Sequence, residues 1–250
     1  MKKTAKLIVM MLFFAGAAEA RINMFEPWHP GQDSKIRSEF SFQYIGSVLF
    51  GDKLQEIPFQ LSYTAGKNIE VGGRWGVKNF DGHFGISDLL LGMKYGFLEE
   101  TINKPSVIGE IGFSLPTADQ NNGLGTGSVG LLLNWAIEKR IETLTGYFGL
   151  GMAMYSENSD KVQYGNIFSY HVGAGSQYNK LLRIHMEFKG FNHGAAKTAG
   201  IQTLDNYQEM YLAPGANYNW TKQNMILSGS LLFGLTPESH KLGFIISSNF

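Results

Sequence analysis

Lys241-Leu242-Gly243-Phe244-Ile245-Ile246-Ser247-Ser248-Asn249-Phe250 is the stretch on which the fold turns. Successive side chains of a strand point to opposite faces, so Leu242, Phe244, Ile246 and Phe250 share one face of a final strand. Ser248 interrupts that face. Two readings are open. The strand is an edge of a soluble sheet, or it is the closing strand of a barrel whose apolar face meets lipid.

The opposite end of the chain separates them. Lys2, Lys3 and Lys6 precede an apolar run from Leu7 to Ala15, and Ala18-Glu19-Ala20 follows as a cleavage site. That order describes a secretory signal, expected over residues 1–20. The run is too short for a membrane helix, which needs roughly 20 apolar residues. Removing the three lysines and one glutamate of the signal leaves 18 basic and 20 acidic residues, a net charge of −2. Such a chain has no basic footprint, so nucleic acid is not an expected partner. Cysteine is absent, which excludes disulfides and cysteine-based zinc sites. In an exported chain, the tail resembles the C-terminal signal of bacterial outer-membrane β-barrels. The resemblance implies delivery to the barrel-assembly machinery through the Phe250 strand.

Working inward, the same parity recurs. Ile57, Phe59, Leu61 and Tyr63 alternate with Glu56, Pro58, Gln60 and Ser62. Ile69, Val71, Trp75 and Val77 alternate with Glu70, Arg74 and Lys78. Further segments of this kind start near Phe40, Leu89, Val107, Val129, Leu144, Phe168, Leu182, Leu212 and Met225. One apolar and one polar face per strand is the pattern of a membrane barrel with lipid outside and a polar interior. The 31 glycines and the many aromatic residues suit it. The expected fold is an all-β, antiparallel up-and-down transmembrane barrel of about twelve strands, with 10 or 14 as alternatives. It should occupy residues 35–250, after a periplasmic lead-in over 21–34. Pro214 leaves the segment from Met210 to Trp220 least defined. Short turns (Thr64–Lys67, Glu138–Glu142, Gln177–Lys180, Thr221–Gln223) alternate with longer loops (Asn79–Phe84, Pro116–Thr126, Asn192–Asn206), which puts both termini in the periplasm. Tyr63, Trp75, Tyr95, Trp135, Tyr218 and Trp220 are expected to form interfacial girdles in contact with outer-membrane lipid.

Residues 85 to 128 carry a more specific signal. Gly85-Ile86-Ser87-Asp88-Leu89-Leu90-Leu91-Gly92-Met93-Lys94-Tyr95 resembles the G-x-x-D-x-x-L-G-x-K-Y segment of an outer-membrane family named for the meta-pathway of phenol degradation. Leu115-Pro116-Thr117-Ala118-Asp119 is similar to that family's L-P-T-G-D, with Ala118 in place of glycine, and Gly125-Thr126-Gly127-Ser128 to its G-T-G-S. The resemblance implies a small barrel that passes hydrophobic or aromatic compounds.

The candidate lumen residues are Arg74, Asp88, Lys94, Glu110, His171, Arg183, His185, Glu187 and Lys189. Arg74 and Asp88 flank a loop centred near residue 81 and should lie opposite each other, as should Lys94 and Glu110. Charges facing across a ladder add roughly 0.2–1 kcal/mol. They either form a network that fills a narrow barrel or line a pore and select what passes. Ser169 and His171 share the inward face, with His185 expected across from His171, and His193 is expected in an external loop. No serine stands in a nucleophile motif, and two histidines without further ligands make a weak metal site. Gly123-Leu124-Gly125-Thr126-Gly127 lacks the Gly-Lys-Ser/Thr ending of a phosphate loop. The reading is therefore a non-enzyme without cofactor or metal, passing small-molecule cargo by diffusion. The alternatives are a non-transporting envelope barrel, structural or a hydrolase, and a soluble periplasmic binding barrel.

Overall fold

The computed structural model describes residues 36–46, 53–65, 68–221 and 225–249. The expected signal peptide, the lead-in and Phe250 lie outside the described residues. Twelve long strands among the described residues build one antiparallel sheet: β1 (Ile36–Gly46), β2 (Lys53–Ala65), β3 (Ile69–Phe80), β4 (Leu89–Leu98), β5 (Ser106–Leu115), β6 (Gly130–Ile141), β7 (Leu144–Tyr155), β8 (Ile167–Gln177), β9 (Leu182–His193), β10 (Tyr207–Trp220), β11 (Met225–Gly234) and β12 (Leu242–Asn249). Each pairs with its neighbours in sequence, and β1 pairs with both β2 and β12, so the ladder returns to its start. A sheet closed in this way satisfies its backbone without a free edge.

The pleat assigns the two faces. On β4, Leu91, Met93, Tyr95 and Phe97 are exposed while Lys94 is buried. On β3, Val71, Trp75 and Val77 are exposed while Glu70, Arg74 and Lys78 are buried. A water-soluble sheet protein would bury the first set and expose the second. This inside-out distribution is that of a barrel with lipid outside. The outward aromatics Tyr63, Tyr95, Tyr218 and Trp220 gather toward the end of the barrel that carries the short turns, whereas Trp75 lies midway along β3.

Pro214 does not end β10, which runs unbroken from Tyr207 to Trp220. Pairing with β11 lapses between Leu212↔Phe233 and Gly215↔Ser230 and resumes in the same register. Pro58 does the same to the β1–β2 ladder, which lapses between Phe40↔Phe59 and Gln43↔Glu56. A proline lacks one donor, so it weakens one side of a ladder without shifting it.

The connections are tighter than the sequence suggests. β6 continues to Ile141, leaving Glu142 and Thr143 as the turn, with Glu142 at φ 53°. In the expected Asn79–Phe84 loop, Asp81 and Gly82 (φ 45° and 86°) form a two-residue turn, and His83–Ile86 folds back on β3. Positive φ at both central residues suits the twist of a hairpin. Residues 194–206 hold a second hairpin, Ala196–Thr198 with Ile201–Leu204, which Val162–Gln163 joins as a third short strand.

Candidate functional site

The barrel interior has two layers. Toward the turn end it is polar. Lys94 and Glu110 are both buried and stand opposite each other across β4 and β5. On β9, Lys189 Nζ lies 2.7 Å from Glu187 Oε2. The other oxygen of Glu187 accepts a hydrogen bond from the Tyr147 hydroxyl on β7. Tyr147 also lies beside the His171 ring of β8, at a centroid distance of 6.2 Å. A small cavity opens among Lys94, Glu110, Asn134, Glu138, Tyr147 and His171.

Toward the loop end an apolar cluster stands beside the buried Glu56, Lys78, His193 and Glu209. Phe80, Leu132, Ala153, Ile167, Phe191, Tyr211, Ala213, Leu232 and Ile245 form a buried cluster with Leu124. These strand residues sit in the loop-side halves of β3, β6, β7, β8, β9, β10, β11 and β12. They form a collar across the interior, so a uniformly polar lumen does not describe this barrel.

Several candidates stand elsewhere than their spacing suggests. The register partner of Arg74 is Leu90, and its guanidinium faces Glu56 of β2 at 3.9 Å. Between Val77↔Ile86 and Arg74↔Leu90 the second strand holds one extra residue, and Ser87 donates to the Gly76 carbonyl (2.9 Å). This bulge takes Asp88 out of the ladder. Its carboxylate is half-buried and turns to the loop over residues 116–129, not to Arg74. His171 is buried opposite Lys189, and His185 stands opposite Gly175, so the two histidines are not cross-strand partners. His185 Nε2 instead lies 3.2 Å from Ser230 Oγ of β11. The nearest candidate for a third member of a triad, Glu187, already has one oxygen on Tyr147 and the other on Lys189. Arg183 is half-buried, and its guanidinium lies over Gly175. His193 is not in a loop. It ends β9, buried, 3.7 Å from Glu209 and stacked on Tyr207 with centroids 4.2 Å apart.

The loop over residues 116–129 turns inward over the collar. Asp88 Oδ1 accepts from the Ala118 amide (3.1 Å), and Oδ2 from the Thr126 amide (2.9 Å) and hydroxyl (3.2 Å). Thr117 Oγ1 accepts from the Leu89 amide (2.9 Å). Lys78 Nζ donates to the Leu124 carbonyl (3.1 Å) and Asn158 Nδ2 to that of Thr126 (3.2 Å). Among the described residues no group of three His, Asp, Glu or Cys side chains is placed to hold a metal ion.

Residues 35–247 match the family model described as "Putative MetA-pathway of phenol degradation". The chain belongs to this family. No curated protein matches the sequence. Among solved structures, the COG4313 outer membrane channel from Pseudomonas putida F1 shares the fold with a TM-score of 0.75 at 14% identity, over 90% of this chain and 98% of that one. The translocator domain of autotransporter NalP from Neisseria meningitidis aligns with a TM-score of 0.57 at 9% identity, over 95% of each chain. A KdgM porin in complex with disordered oligogalacturonate aligns with a TM-score of 0.55 at 7% identity, over 85% of this chain and 98% of that one. The shared architecture is that of an outer-membrane barrel.

The three segments by which this family member was recognisable meet in space. Asp88 from the first binds Ala118 from the second and Thr126 from the third. Sequence reasoning missed Tyr147, although it has the inward parity of Thr145 and Gly149 beside outward Phe148. It also missed Leu124, for which no periodic signal exists in a loop.

Proposed function

We propose that this chain is a passive outer-membrane channel for small solutes with an apolar body, hydrophobic or aromatic. The apolar collar inside a polar-lined barrel carries this reading. A solute entering from the loop end exchanges water for Phe80, Leu132, Phe191 and Leu232, alongside the buried His193 and Glu209, on its way to the turn-end layer. An apolar body gains from that exchange, while a hydrated ion loses its shell there. Interior charges stand close to opposite charges, as Lys189 does to Glu187 and Arg74 to Glu56, so these pairs exert little net pull on an ion. An outer membrane has no ATP and no ion gradient of its own, and passage is diffusive. The family and the channel and porin folds support the same reading.

Liposomes loaded with purified protein test it. Uncharged small aromatics should enter faster than into empty liposomes, and faster than sugars of equal size. Equal entry with and without the folded barrel would defeat the channel reading in favour of a structural envelope barrel. For assembly, β12 joins β11 to β1, and the C-terminal Phe250 of the sequence serves as the address for the barrel-assembly machinery. Deleting Phe250 should lower the yield of folded barrel in cells while leaving refolding in detergent intact.

A further inference from the structure

We propose that residues 116–129 are a latched stopper, with Leu124 as the plug and Asp88 as the latch, and that permeation requires this loop to leave the barrel mouth. The inference rests on the channel reading above and names what controls passage through that channel.

Three observations carry it. First, among the described residues Leu124 is the only fully buried member of the interior apolar cluster that no strand supplies; the others are fixed in the wall. It can therefore be withdrawn without breaking any ladder. Second, the loop is held by side-chain hydrogen bonds. One carboxylate grips it at two points, Ala118 and Thr126, that bracket the plug; Lys78 and Asn158 each add one bond, Thr117 bonds to residues 87 and 89, and Gln120 reaches Ser159 and Asp160 of the neighbouring loop. Losing Asp88 releases both points together. Third, the backbone is shaped for this seat and for leaving it. Gly123 and Gly127, on either side of Leu124, have φ 71° and 66°, where glycine turns with least strain. The seat has no spare room. A Cβ at Gly125 would stand 2.4 Å from Asp88 Oδ1, and one at Gly85 2.5 Å from Leu124 Cδ1. An alternative role, a loop that merely caps the barrel, would not require an apolar side chain sunk into the collar.

The test uses the full-length barrel in planar bilayers bathed in potassium chloride, with heat-modifiable gel migration to confirm the fold. Asp88→Ala removes the latch, and Leu124→Gly removes the plug while leaving the latch and every ladder in place. Both assembled variants should show a several-fold rise in open-state occupancy or conductance over the unsubstituted protein. If the unsubstituted protein conducts and Leu124→Gly matches it, the stopper is overturned and the channel reading stands. If the unsubstituted protein and both variants are silent, the stopper and the channel reading both fall.

Discussion

Gly149 lies beneath the imidazole of His171: a Cβ at position 149 would stand 2.1 Å from the ring's Cε1. The two residues are register partners on β7 and β8, and the ring lies flat on the wall because the glycine leaves it room. The same device seats Tyr147 over Gly173. Gly149→Ala should therefore destabilise the barrel by about 1–3 kcal/mol, the usual penalty of overpacking. His171→Ala in the same chain should recover most of it. Urea unfolding of single and double variants in detergent checks this, and additive losses would show that the ring is not what the methyl meets.

Glu187 is shared between Tyr147 and Lys189. Tyr147→Phe removes a hydrogen bond to a charged acceptor and should cost about 1.5–3 kcal/mol. In a conducting barrel, Glu187→Gln leaves the Lys189 ammonium without its carboxylate. Reversal potentials in a salt gradient should then shift toward anions, and Lys189→Gln should shift them toward cations. Identical potentials in all three proteins would place this pair outside the permeation path.

Val172 stands at the middle of β8 on the outer face and is half exposed. If that face meets lipid, Val172→Arg should cost about 2–4 kcal/mol of folding free energy in vesicles, as arginine does near a bilayer midplane. On a soluble barrel the same change would be nearly neutral. Folding titrations into lipid vesicles separate the two.

Ala199 has φ 50° at the tip of the Ala196–Thr198 hairpin, beside Gly200 at 78°. Left-handed backbone costs a β-carbon residue roughly 1–2 kcal/mol, and asparagine tolerates it better. Ala199→Asn creates the Asn-Gly pair favoured in such turns. It should slow amide hydrogen exchange in that hairpin severalfold without altering the barrel's own unfolding midpoint.

His240 lies in the loop between β11 and β12, buried, and burial holds its pKa below the ordinary 6.5 while Glu209 pulls weakly the other way. The unfolded chain therefore binds a proton at 240 more readily than the folded barrel does. The stability from this neutral imidazole is full above its unfolded value and falls as pH drops through it. His240→Gln should flatten the loss of stability between neutral pH and about pH 5. A slope unchanged by the substitution would assign the acid sensitivity to other groups.

Parity along the strands was legible in the sequence because the pleat period of two is a property of the backbone, whatever the strand pairs with. Leu91, Met93 and Tyr95 outside and Lys94 inside follow from it, and so does the count of twelve strands. Pairing of Lys94 with Glu110 was also legible, since a single turn joins their strands. Depth and register were not. The extra residue at Ser87–Asp88 moves Asp88 off Arg74 and onto a loop, and only the folded ladder reveals a bulge. The collar joins residues from Phe80 to Ile245, each a single apolar side chain at a nominally inward position, and only closure of the barrel sets them at one height. Leu124 lies in no strand, so no period could place it. Its seat is held by three hydrogen bonds that one distant carboxylate accepts at either side of it and by the Lys78 ammonium on its own carbonyl.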